Sequence, residues 1–294
     1  MEESGNLAFL TPSFFGDFEQ CRLLNESLAR FVKDDYHHYI VVDAADYSLF
    51  KVLDSSHTTV LTKEDVLPSW VSRFRFKVPR KNRYFRLSWK SRPIRGWIAQ
   101  QMAKLQVCVQ LKQSTVIIVD SDVFVCRDFA LSDIMQDGKV PLYLKPNVIF
   151  AEELPMHIEW FKTANSILGL PERELPGPDF ISPFTCWKPD ILQQMRTQIE
   201  KTCEQDWMVV IARNWNFCEP VVYGTYLEYT GPDKCGHWAT DKPLSYSWWN
   251  PTAIGTEEMQ EFLQKIPDQC YAVNIQSKAE FSIDTYKHLV KSFF

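Results

Sequence analysis

The chain reads as an α/β protein built on a mixed, mostly parallel sheet flanked by helices. Three observations predict this. Short apolar segments of strand length alternate with helical patterns through the first 130 residues. The stretch "VIIVDSDVFV", Val116–Val125, is apolar on both sides before its two aspartates, as a strand buried between helical layers must be. At 294 residues, 45% hydrophobic and 23% charged, the chain can bury a large core, and no linker-like break divides it. A single domain over residues 1–294 is expected, its two halves meeting near residue 130.

Element by element, "LAFLT" (Leu7–Thr11) is a strand, and Asp17–Val32 a helix with an acidic start. Its residues Cys21, Leu24, Leu28 and Phe31 recur at helical spacing. "YIVVD" (Tyr39–Asp43) and "TTVLT" (Thr58–Thr62) are further strands. The segment Arg73–Arg95 reads as a loop with short irregular pieces. Ile94–Lys112 is a helix with Ile98, Met102, Leu105 and Val109 along one face, and the aspartate-bearing strand follows it. "LPGPDFISPF" (Leu175–Phe184) is the nearest thing to a break.

The formal charge of −5 hides an asymmetry. No acid occurs between Asp65 and Asp120, whereas twelve of the 32 basic residues do, leaving 20 bases against all 37 acids in the remainder. The densest part, "RFRFKVPRKNRYFRLSWKSRPIR" (Arg73–Arg95), interleaves cations with aromatics. Such a segment suits a phosphorylated small molecule, a nucleic acid or an anionic membrane, or is simply a solvated basic face. The acidic remainder argues against a general nucleic-acid binder. No apolar run reaches the roughly twenty residues that span a bilayer, and "MEESGNLAFL" carries acids where an export signal carries bases. The eight cysteines, lacking any CxxC pair or zinc-site spacing, read as reduced and mostly buried thiols of a cytoplasmic protein.

Two carboxylates leaving a buried strand must meet cations or emerge into water, because desolvating an unpaired carboxylate is costly. In continued strand geometry Asp120 and Asp122 leave the same face, and open α/β sheets place ligands beyond such strand ends. Two hard oxygen ligands converging there suit Mg²⁺ or Mn²⁺, with a substrate phosphate completing the shell. The plainer alternative is that Asp120 caps a turn and Asp122 begins a loop. Another is a phosphohydrolase with Asp120 as nucleophile, although that pattern wants Thr or Val where Phe124 stands, near the start of its domain. A third is a non-enzymatic polyanion-binding module gripping its ligand through the basic segment.

The stretch "QQMAKLQVCVQLKQSTVIIVDSDVFVCRDF" resembles the core of the nucleotide-sugar glycosyltransferases of the GT-A fold. With Gly96, Trp97, Gln100, Gln101 and Lys104, it is similar to a family of mostly bacterial glycosyltransferases of unassigned substrate. "DFISPFTCWKPDIL" and "FCEPVVYGTYLEY" resemble that family's second half. The resemblance spans about Leu7–Tyr229, and its motif detail lies between Gly96 and Phe129.

The resemblance implies a GT-A-like (Rossmann-like) sheet and a metal-bridged diphosphate. Asp122 would bind the metal, Asp120 would share it or face the ribose, and Ser121 would lie against the nucleotide. Gln101 belongs with the donor-binding residues, and Lys104 would reach the pyrophosphate or an aspartate, or else is a solvated helix lysine. "TPSF" places Thr11, Pro12 and Ser13 against base or ribose, and Asp43 against the base unless it caps a helix. His237 is the candidate third metal ligand, although the Gly and Trp of glycogenin-like transferases are not at their positions; an ordinary loop histidine is the alternative. Glu219 and Asp179 are the candidate acids for an acceptor hydroxyl, Glu219 alternatively capping a helix before Pro220. Arg83, Arg86 and Arg95 are expected at the diphosphate or at a membrane-bound anionic acceptor.

The expected protein is a cytoplasmic glycosyltransferase, sited at the inner face of the membrane if the basic segment binds lipid. It would use a nucleotide-sugar donor, UDP-linked as a first guess, and Mn²⁺ or Mg²⁺. Its acceptor would be a glycan or lipid-linked glycan of surface polysaccharide or lipopolysaccharide assembly, with no nucleic-acid partner.

Overall fold

The computed structural model describes residues 7–78, 83–249, 255–276 and 283–293. Strand β1 (Leu7–Pro12) leads through a single 3₁₀ turn into helix α1 (Phe18–Phe31), then β2 (Tyr36–Val42), the short α2 (Tyr47–Phe50), β3 (Thr58–Thr62) and the short α3 (Lys63–Val66). The basic segment follows as β4 (Val71–Val78), β5 (Arg83–Ser88) and β6 (Ile94–Arg95), joined as an antiparallel sheet, with Phe76 opposite Phe85 and Phe85 opposite Arg95. This corrects the expected irregular loop. Alternation of Phe74 and Phe76 with Arg73, Arg75 and Lys77 is a period-two pattern, which the charge of the segment masked. Residues 79–82 and the Arg83 side chain lie outside the described residues.

Helix α4 (Gly96–Cys108) leads into β7 (Thr115–Val119), and a turn separates it from β8 (Val123–Val125). The second half carries α5 (Leu131–Ile134), β9 (Val140–Tyr143), β10 (Lys145–Ile149), α6 (Pro155–Leu168), β11 (Gly177–Asp179) and β12 (Phe184–Trp187). It continues with α7 (Pro189–Cys203), α8 (Trp207–Arg213), α9 (Glu219–Thr230), β13 (His237–Thr240), β14 (Ser245–Trp248), α10 (Thr256–Gln264), β15 (Ala272–Ile275) and α11 (Ile283–Lys291).

The central sheet has the order β12-β7-β1-β2-β3, with β7, β1, β2 and β3 parallel and β12 antiparallel at the edge. Its two faces follow the period-two alternation. Ala8, Leu10, Val116 and Ile118 pack with α4 residues Ile98, Met102 and Leu105, while Leu7, Phe9, Ile117 and Val119 pack against Leu24, Leu28 and Phe31 of α1. A strand buried on both sides reads as the unbroken apolar run seen at Val116–Val119.

The chain runs outward from β1 to β2 and β3, then returns through α4 to β7 on the other side of β1. That reversal opens a crevice beyond the carboxyl ends of β1 and β7. Leu10 lies opposite Ile118, so Pro12 comes level with Asp120. The strand carrying the aspartates does not continue as expected. The Val123 amide donates to the Asp120 carbonyl at 3.2 Å, closing a turn, and β8 leaves to join a second sheet ordered β14-β15-β8. The two carboxylates therefore sit at the junction of two sheets. No helix among the described residues is long and apolar enough to cross a membrane.

Candidate active site

A cleft of about 550 Å³ occupies the crevice. Its walls bring together Pro12, Gln101, Lys104, Asp120, Ser121, Asp122 and Glu219 from the sequence-derived set, with Phe14, Trp97, Trp160 and Trp187 supplying aromatic surface. Among the described residues, the charged groups lining it are Asp17, Asp120, Asp122 and Glu219 against the ammonium of Lys104. Carboxyl groups outnumber ammonium groups four to one there.

Each of these side chains is held. Gln101, buried on α4, accepts from the Glu219 amide at 2.8 Å and donates to the Phe217 carbonyl at 3.1 Å, fixing the start of α9. Glu219 is the first residue of that helix, and its carboxylate pairs with Lys104, both side chains being nearly closed off from water. Desolvation pulls the Lys104 pKa down, but attraction to Glu219, then Asp120, outweighs it and the net shift is upward. Asp120 opens onto the cleft yet is packed around by protein. That desolvation pushes its carboxyl up to about 7, with Lys104 pulling down and Asp122 and Glu219 adding repulsion.

Asn274 on β15 donates from its amide to the Asp122 carboxylate at 2.7 Å, orienting it. Ser121 donates to Asp17 at 3.1 Å, tying the loop after β1 to the turn. Asp17, Trp160, Trp187 and Asn274 were not foreseen as site residues. A signal did exist for two of them: Asn274 is a polar residue in the apolar strand "AVNI", and Asp17 follows the end of β1 by five residues.

Several sequence-derived candidates lie elsewhere. The Thr11 hydroxyl is buried against His38 at 2.9 Å. Burial lowers the His38 pKa to about 3 and keeps the ring neutral. Its Nδ1–H then donates to Asn25 Oδ1 at 2.9 Å, so Nε2 accepts from Thr11. Ser13 is buried with its amide on the Val41 carbonyl at 2.9 Å. Asp43 neither caps a helix nor reaches the cleft. Its carboxylate receives Lys63 at 3.2 Å, Arg75 at 2.8 Å and Arg86 at 2.5 Å, and although burial opposes it, these three cations leave its pKa lowered. Arg86, far from holding a diphosphate, is buried and also pairs with Glu64 at 2.6 Å. The Arg95 guanidinium stacks over Trp215 at 4.0 Å from the ring centroid.

His237 is corrected as a metal ligand. It is wholly buried on β13, which pairs with β9. Its Nδ1–H donates to the Cys235 carbonyl at 3.0 Å and its Nε2 accepts from the Tyr223 hydroxyl at 3.3 Å. Burial lowers its pKa to about 4, so the proton stays on Nδ1. Asp179 lines a neighbouring cavity rather than the cleft.

Among the described residues no cluster of three or more His, Cys, Asp or Glu side chains is arranged to hold a metal ion. The cleft itself still fits a hard divalent cation: two carboxylates on one turn, in an acid-rich space, with room for substrate and water to complete the shell. Magnesium sites of this kind commonly take only one or two protein carboxylates.

Fold and site together define an α/β protein with an acidic, aromatic-walled cleft at the switch point of a mostly parallel sheet. The chain belongs to the family described as "Family of unknown function (DUF6492)", whose model matches residues 10–294. No match was found among curated proteins.

Proposed function

We propose that the chain is a GT-A-like, metal-dependent glycosyltransferase. It would move a sugar from a nucleoside-diphosphate donor, UDP-linked in the first instance, to an acceptor hydroxyl in surface-polysaccharide or lipopolysaccharide assembly. The observation that carries this reading is the charge of the cleft: among the described residues, four carboxyl groups face one ammonium at the sheet's switch point. A diphosphate entering that space alone would meet net repulsion. It enters favourably with a divalent cation, which when bound neutralises charge on the leaving diphosphate.

Asp122, oriented by Asn274, and Asp120 are the two metal ligands in this account. Lys104 supplies the remaining positive charge beside them and is positioned by Glu219, which Gln101 fixes in turn. Glu219 is thus a positioning residue rather than the base first expected, because its carboxylate is already taken by Lys104. Trp97 and Trp160 offer faces on which a nucleobase or sugar stacks, while Trp187 is buried against Tyr223 behind them.

The basic sheet supports a membrane-bound acceptor. Phe74, Leu87 and Trp89 are exposed, Phe74 at 84% and Trp89 at 75%, in a segment that also carries Arg73, Lys77, Lys90 and Arg92. Aromatics among cations suit an anionic lipid surface.

The experiment is a thermal-shift panel of nucleotides and nucleotide sugars with and without Mn²⁺, since a ligand that binds the native state raises its stability by mass action. A shift for one diphosphate nucleotide that requires the metal supports the reading. Shifts that ignore the metal, or phosphate release from generic phosphoesters, would replace it with a binding module or a phosphohydrolase.

A further inference from the structure

A second cavity, of about 600 Å³, adjoins the cleft. Ile181, Ser182 and Pro183 line both spaces, and the Asp120 amide donates to the Pro183 carbonyl at 3.0 Å. The loop after β11 is therefore a shared wall, anchored directly to the turn that carries the two aspartates. The chamber's other walls come from β9, the start of α6, β14 and the residue after it; α6 also lends Trp160 to the donor cleft.

Its lining combines flat aromatic surface from Tyr143, Tyr246 and Trp249 with polar groups from Asp179, His157 and Ser245. Tyr246 is held rigid by stacking on Phe262, with ring centroids 4.5 Å apart and planes 15° apart. Asp179 accepts from the Ile181 amide at 2.9 Å, which fixes its carboxylate. Two of the polar groups lack a partner among the described residues: the hydroxyl of Ser245, a residue only 1% exposed, and the buried His157 Nδ1. Both atoms are themselves closed off from solvent, so recognition in the chamber rests on the Asp179 carboxylate and the aromatic faces.

We propose that this chamber binds a saccharide, the acceptor glycan in a reaction whose donor occupies the adjoining cleft; that second clause rests on the reading above. Sugars present an apolar C–H face and a rim of hydroxyls, and the chamber presents the complement of both. A volume of about 600 Å³ lies within the roughly 300–1,000 Å³ of small-molecule sites and leaves room for more than one ring. Asp179 meets an acceptor hydroxyl as hydrogen-bond acceptor. Its carboxyl pKa is raised by burial, against the Ile181 amide and then His157 and Lys145, which lower it.

The test uses saturation-transfer NMR on the full chain with Mg²⁺ present, against a panel of hexoses, N-acetylhexosamines, their methyl glycosides and their di- and trisaccharides. Trp249→Ala removes an exposed aromatic wall, and Ser247→Trp fills the chamber from β14; both lie on its rim, and their unfolding midpoints establish that each is folded. The expected result is saturation of at least one saccharide, stronger for di- and trisaccharides than for monosaccharides. It should weaken at least fivefold in both variants, while any metal-dependent UDP shift stays within twofold. Absence of saturation across the panel, or saturation unchanged in both variants, overturns the proposal. Failure of UDP to bind overturns the donor reading instead and leaves the chamber to be judged by its own saccharide signal.

Discussion

The Lys104–Glu219 pair gives the sharpest energetic prediction. Lys104→Met deletes the one cation that lines the cleft among the described residues and leaves Glu219 buried beside Asp120. Removing one partner from a buried ion pair costs about 3–5 kcal/mol. The cleft admits water, so the lower end, about 3 kcal/mol, is expected at pH 7. At about 2 °C per kcal/mol, a value suited to a chain of this size, the unfolding midpoint should fall by about 6 °C. Glu219→Gln should cost less, because the stranded ammonium still faces Asp120. The double variant Lys104→Met/Glu219→Met replaces the pair by apolar groups and should return to within about 1 kcal/mol of wild type. Chemical denaturation of the four proteins at pH 7 and again at pH 5 is the assay. Additive losses, or a Lys104→Met cost below about 1 kcal/mol, would refute the buried-pair account of the cleft.

Other perturbations follow from the packing. A Cβ on Gly224 would stand 2.3 Å from Phe180 ring atoms, so Gly224→Ala should destabilise by about 1–3 kcal/mol through overpacking. By shifting the loop between the two cavities it should also weaken ligand binding. His38 and His237 have native pKa values of about 3 and about 4, below the unfolded value near 6.5. The unfolded chain therefore takes up protons first, and stability falls as pH drops below 6.5. At pH 5.5 each costs up to about 1.4 kcal/mol, and His38→Gln should reduce the slope of midpoint against pH between 6.5 and 5. Co-sedimentation with vesicles of anionic lipid, but not of neutral lipid, is expected, and Phe74→Ser with Trp89→Ser should reduce it at least tenfold; equal binding to both vesicles would remove the membrane from the account.

The central sheet was legible because each strand's apolar run and each helix's periodicity are local properties. Val116–Val119, buried on both faces, announced itself by having no polar residue at all. The β4–β5 pairing was missed because the segment's charge suggested a loop. Two of those cations, Arg75 and Arg86, are satisfied from a distance by Asp43, Asp46 and Glu64. No local pattern predicts such partners.

In the site, Asp120, Asp122, Gln101 and Lys104 were readable from the strand and the helix before it. The contributions of Asn274 and Glu219 depend on contacts 152 and 118 residues apart in sequence. The late histidine that the resemblance implies as a ligand fell on His237, which the fold buries. A neutral ring with both nitrogens bonded inside the core looks the same in sequence as a ligand on a loop.

The most direct test of the central claim is a manganese-edge anomalous difference map from crystals of the chain grown with MnCl₂ and UDP, for wild type and Asp122→Asn. The account predicts one strong peak in wild type, within coordination distance of Asp122 and of both phosphates, and its loss in Asp122→Asn. A diphosphate seated without that peak, or a peak that survives the substitution, would contradict it.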